Sequence, residues 1–187
     1  LPATTIADGS EIVIDTTAPT ISIGAPSASD TKTGPVSYSV TYSEADTIDL
    51  RDVDIALNSP GTANGTVSVS DGATSTPTVT ISGITGDGTL GITVAAGRSS
   101  DNAGNTDAGA GPSTTFNVDN TPPTVTIGVP SATLTQNGPV SYTVTYSGAD
   151  TIDLRAADIN LNKSGNANGT VTVSNGSTST PRVTISG

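Results

Sequence analysis

Val36, Tyr38, Val40 and Tyr42 alternate with Ser37, Ser39, Thr41 and Ser43, so eight consecutive residues put their large apolar side chains on one face and their hydroxyls on the other. A period of two is the mark of a strand with one face buried and one in water. The same beat recurs at Ile21/Ile23, Ile55/Leu57, Val67/Val69, Val79/Ile81, Ile92/Val94 and Phe116/Val118, each bounded by Gly, Pro, Asn or Asp. Short alternating runs between turn residues predict strands. The pattern therefore predicts an all-β chain with seven short strands in its first 118 residues.

The alternation then returns. Residues 15–83 reappear as 119–187, 104 positions on without a gap, and 48 of the 69 positions are identical. Val140, Tyr142, Val144 and Tyr146 repeat the first apolar face. A period near 100 is a whole domain, longer than a solenoid unit. Seven strands per 104-residue repeat predict tandem immunoglobulin-like β-sandwich domains, without the Cys and Trp of antibody domains. The expected division is 15–118 for the first domain and 119–187 for a second, truncated one that lacks the counterpart of 84–118. Ile12-Val-Ile-Asp15 aligns with Phe116-Asn-Val-Asp119. Residues 1–14 are thus expected to be the last strand of a preceding repeat, or a donor strand that fills the gap in a neighbour.

Composition narrows the chemistry. There are 17 acidic and 6 basic residues, a net charge of -11, and no Cys, His, Trp or Met. An acidic surface without a Lys/Arg cluster repels nucleic acid. No run of 18 apolar residues is present, so no membrane insertion is expected in this segment. A nucleophilic serine would have no histidine as its base, and the lysines are Lys32 and Lys163 alone. Asp46 with Asp49 could in principle act as a glycosidase pair, but no Trp is available for a sugar platform. The chain is expected not to be an enzyme.

Four stretches carry a family resemblance: Asp-Thr-Thr-Ala-Pro-Thr from Asp15, Gly-Pro-Val-Ser-Tyr-Ser-Val-Thr-Tyr from Gly34, Val-Thr-Ile-Ser-Gly-Ile-Thr-Gly-Asp-Gly-Thr-Leu-Gly-Ile from Val79, and Asp-Asn-Ala-Gly-Asn from Asp101. Together they resemble the bacterial Ig-like repeats of large secreted and cell-surface, adhesin-type proteins. The resemblance implies an extracellular location and a spacer or stalk role, with neighbouring repeats or subunits as partners. A multivalent glycan- or protein-binding module is the alternative, and a filament subunit joined by donor-strand exchange is a third. Structural calcium at domain junctions is a further implication.

With that topology, acidic and amide residues collect at loop ends. Asp15, Glu44, Asp46, Asp49, Asp101, Asn102 and Asn105 come from three converging segments at the leading end of the first domain. Asp119, Asn120, Asp150 and Asp153 are expected to meet Asp87 at the junction between the copies. Hard oxygen donors of this kind suit the six to eight oxygens that Ca²⁺ takes. The Asp119-Asn-Thr-Pro-Pro123 linker also resembles the calcium-binding linker of cadherins. The competing explanation is that Asp and Asn close turns by accepting backbone hydrogen bonds, which suffices for Asp71-Gly72, Asn175-Gly176 and Asp107. Glu44 becomes Gly148 in the second copy, so any two sites would differ.

Overall fold

The computed structural model describes residues 4, 5 and 11–187. Thr4–Thr5 (β1) pairs antiparallel with Glu11–Ile12 (β2). Residues 6–10, the first part of the expected N-terminal strand, lie outside the described residues. The chain divides into two compact units, Leu1–Asn120 and Thr121–Gly187.

In the first unit Thr20–Ile23 (β3), Asp30–Thr31 (β4), Val36–Ser43 (β5), Thr47–Ile48 (β6), Ile55–Asn58 (β7), Asn64–Ser70 (β8), Thr78–Thr85 (β9), Gly88–Val94 (β10), Ser99–Ser100 (β11) and Phe116–Val118 (β12) are strands. One sheet has the order β3-β5-β9-β8 and is antiparallel throughout. The other has the order β4-β12-β10-β7, and in it β4 runs parallel to β12. A third, two-stranded pairing joins β6 to β11.

The alternation of β5 is what holds the two sheets face to face. Val36, Tyr38, Val40 and Tyr42 are all buried, whereas Ser39, Thr41 and Ser43 are exposed. They join Val79 and Ile81 of β9 in a single cluster with Leu90, Ile92 and Val94 of β10 and Phe116 and Val118 of β12. One apolar layer between two sheets makes this unit a β-sandwich. At about 25 cal/mol per Å² of apolar surface removed from water, that layer is the main stabilising term.

The second unit repeats the first sheet and stops there. Thr124–Ile127 (β13), Val140–Ser147 (β14), Thr170–Ser174 (β15) and Arg182–Ser186 (β16) form one sheet of order β13-β14-β16-β15. The register carries over at the same offset: Val36 faces Ile81 and Val140 faces Ile185, Ile23 faces Val40 and Ile127 faces Val144. Short 3-10 helices at Asp52–Asp54 and Ala156–Asp158 also correspond. So do the turns after the third strand of each sheet. A Cβ on Gly72 would lie 2.1 Å from the Leu50 carbonyl oxygen, and one on Gly176 would lie 2.2 Å from that of Leu154. Only glycine fits there, because each glycine carbonyl accepts the leucine N–H at 2.9 Å.

One expectation needs correcting for this unit. Val144 is buried, but Val140, Tyr142 and Tyr146 are only half-buried. The register is as expected; what differs is that no second sheet among residues 121–187 lies over the face. Ile159–Asn162, the counterpart of β7, is not a strand, since β7 forms by pairing with β10 and residues 121–187 contain no such partner.

Candidate functional site

Asp15, Glu44, Asp46 and Asp101 line one shallow open cleft of about 540 Å³ in the first unit. Three segments build it. The chain before β3 brings Asp15, whose carboxylate accepts the Thr17 N–H at 2.9 Å. The loop after β5 brings Glu44 and Asp46, and the loop after β11 brings Asp101. The β6–β11 pairing ties these two loops together.

Asn102 and Asn105 stand behind the cleft as clamps. The Asn102 N–H donates to the Asp46 carboxylate at 2.8 Å. Asn105 donates its backbone N–H and its side-chain amide to Asp101, at 2.8 and 2.7 Å. The Asn105 bond holds the Asp101 carboxyl below the usual carboxylate range. The same amide reaches the backbone oxygens of Asp15, at 3.2 Å, and Thr17, at 3.5 Å. The incoming chain is thereby fastened to the loop after β11.

Asp49, expected in this group, lies elsewhere. Its carboxylate is engaged by both ends of the Arg51 guanidinium, with Nε at 2.9 Å, which lowers its pKa. Asp153 is held in the same way by Arg155 in the second unit, with Nε at 3.0 Å. In both cases the arginine sits two residues on, within Asp-Leu-Arg, and that spacing was visible in the sequence.

Asn120 marks where the chain leaves the first unit. Its side-chain amide donates to the Lys32 and Gly86 carbonyls at 2.9 and 2.8 Å, and its N–H donates to the Asp87 carboxylate at 2.6 Å. Asp119 precedes it, with its N–H on the Thr31 carbonyl at 3.1 Å. Asp87, Asp119 and Asn120 therefore belong to one clasp within the first unit. Asp150 is exposed in the second.

The donor chemistry of the cleft is that of a calcium site, but its spacing is not. Among the described residues no three carboxylates converge to metal-binding distance. Hydrogen bonds from Asn102, Asn105 and Asn120 do the bracing.

A buried polar cluster escaped the sequence reading. Asp107 is 3% exposed and accepts four hydrogen bonds, from the N–H of Gly97, Ser99 and Gly109 and the hydroxyl of Ser99, at 2.5–3.1 Å. Burial alone would raise its pKa; those bonds outweigh burial and hold it below the ordinary value. Arg98 bonds Asp54 at 2.9 Å. The Tyr42 hydroxyl, buried among these charges, is the one buried side-chain polar atom among the described residues without a hydrogen-bond partner. Burial first, then Asp107 and Asp54, push its pKa up to about 12.

Compared with models of protein families, with curated proteins and with solved structures, the chain matches none.

Proposed function

We propose that this chain is a structural spacer, built from immunoglobulin-like sandwiches and serving as a stalk repeat of an extracellular bacterial fibre or adhesin-type surface protein. Lettered in chain order, with β4 and β6 as accessory segments, the strands of the first unit give the sheets ABED and CFG, which is the pairing of a constant-type immunoglobulin sandwich. The observation that carries the spacer reading is the parallel pairing of β4 with β12. Asn117 faces Asp30 and Val118 faces Thr31; Asn117 donates its N–H to Ser29 at 2.8 Å and its amide to Asp30 at 2.9 Å. The first of these strands is near the start of the unit and the second is at its end. In a parallel pair, tension on the two chain ends loads every bond of the ladder at once, in shear. Such an arrangement suits a module that bears load.

The acidic cleft supports calcium as a brace on the same module. Glu44 holds φ at +61°, a backbone region that costs an ordinary residue roughly 1–2 kcal/mol, and its counterpart Gly148 takes φ +75° without that cost. A strained glutamate on the rim of a cleft with three aspartates is a functional outlier. In this reading Ca²⁺ draws the carboxylates inward and fixes the incoming linker.

Stretching the chain by its ends in an optical trap tests the spacer reading. A load-bearing sandwich gives one discrete rupture that releases roughly 35 nm, at about 3.4 Å per residue. Smooth extension without a rupture would contradict it.

A further inference from the structure

We propose that the bare face of the β13–β16 sheet is an acceptor for a two-stranded segment with the side-chain chemistry of residues 84–118, presented by a separate polypeptide. The first unit supplies the template. Its β3-β5-β9-β8 sheet has the same register and nearly the same inward residues, and there β10 and β12 cover the face with Leu90, Ile92, Val94, Phe116 and Val118. In the second unit that space is open. Two cavities of about 470 and 270 Å³ lie on the face. Tyr142 and Ile185 line both, and Val144, Ile159, Leu161 and Val183 line the smaller. Their counterparts Tyr38, Ile81, Val40, Ile55, Leu57 and Val79 are the residues against which the first unit packs, or in β7 pairs, its second sheet.

The exposure of the rim follows. Ile127 is 70% and Val125 is 56% exposed, whereas Ile23 and Ile21 at the same repeat positions are half-buried. An apolar face of this extent is an interaction surface. The template also specifies the register. In the first unit Ile92 faces Leu57 and Val94 faces Ile55. An incoming segment would set the counterpart of Ile92 against Leu161 and that of Val94 against Ile159, turning 159–162 into a strand. The counterpart of Arg98 would meet Asp158, as Arg98 meets Asp54. A covering strand pair completes a sheet edge and a core together, which is how donated strands bind.

The experiment adds a synthetic peptide of residues 84–118 to the intact 187-residue protein and follows amide hydrogen exchange. Binding should slow exchange at least tenfold at residues 159–162 and around Val144 and Val183, and leave residues 15–118 unchanged. A second peptide carrying Ile92→Asp and Phe116→Asp separates specific docking from general stickiness, and should give no protection. The proposal is overturned if the first peptide leaves 121–187 unprotected, if protection appears only in 1–120, or if the two peptides act alike.

Discussion

The ring of Tyr38 on β5 lies 6.4 Å from that of Phe116 on β12, tilted at 43°, while its hydroxyl donates to the Thr114 carbonyl at 2.9 Å. One residue thus joins the two sheets both through the core and through the backbone. Phe116→Ala should cost about 3–5 kcal/mol, the range for a fully buried phenylalanine. Tyr38→Phe should cost only about 1 kcal/mol, since it removes one hydrogen bond and no packing. Chemical denaturation followed by circular dichroism measures both, and equal losses would show that the aromatic contact carries no special weight.

Asp107 is the hub of the loop after β11, so Asp107→Asn should destabilise the first unit by about 3 kcal/mol, because an amide meets backbone N–H groups with only one acceptor. The loss should depend on pH. The folded-state pKa of Asp107 is lowered, so its contribution is complete above the unfolded value of about 3.9 and disappears as pH falls through the folded value. The gap between wild type and variant should therefore be widest near neutrality and narrow in acid. A gap independent of pH would contradict this role.

Tyr42→Phe should make the protein more stable at pH 7, by about 1 kcal/mol, since it deletes a buried hydroxyl without a partner. The raised pKa adds a second signature. Wild type should lose stability as pH climbs from about 10, where the unfolded tyrosine ionises, through the folded value of about 12. The variant should lose less over that window. A variant less stable than wild type at pH 7 would mean that the hydroxyl is bonded.

Glu44 sets stability against binding. Glu44→Gly should stabilise the metal-free protein by up to about 1 kcal/mol by relieving the left-handed backbone, and should weaken calcium. Calorimetry of the wild type should give a dissociation constant of roughly 0.1–1 mM, the range for extracellular modules. No heat of binding, together with identical hydrogen exchange in calcium and in EDTA, would remove calcium from the account.

Much of this fold was legible because the strands are amphipathic. β3, β5, β7, β8, β9, β10 and β12 all fall where residues alternate, and the 104-residue offset carried the second sheet's register with it. The two-residue strands β4, β6 and β11 were not legible, since two residues hold no period. The site was read in part. Asp15, Glu44, Asp46 and Asp101 do share a cleft, because their loops follow from strand order. The roles of Asn105 and Asn120 as donors to backbone oxygens depend on where chain segments cross, which spacing does not encode. Asp107 resembled any turn aspartate, because burial in an irregular loop leaves no pattern in the residues around it.

The spacer account rests on β4 and β12 resisting tension in shear, and the same bonds can be loaded in two directions. The chain has no cysteine, so paired handles are easily placed at exposed positions. Thr16→Cys with Asp119→Cys pulls the two strands along their length; Lys32→Cys with Asp119→Cys pulls both from the same end and opens the ladder bond by bond. Single-molecule stretching should give a rupture force at least twofold higher in the first geometry than in the second. Equal forces in the two geometries would contradict a load-bearing role for this pairing and, with it, the spacer reading.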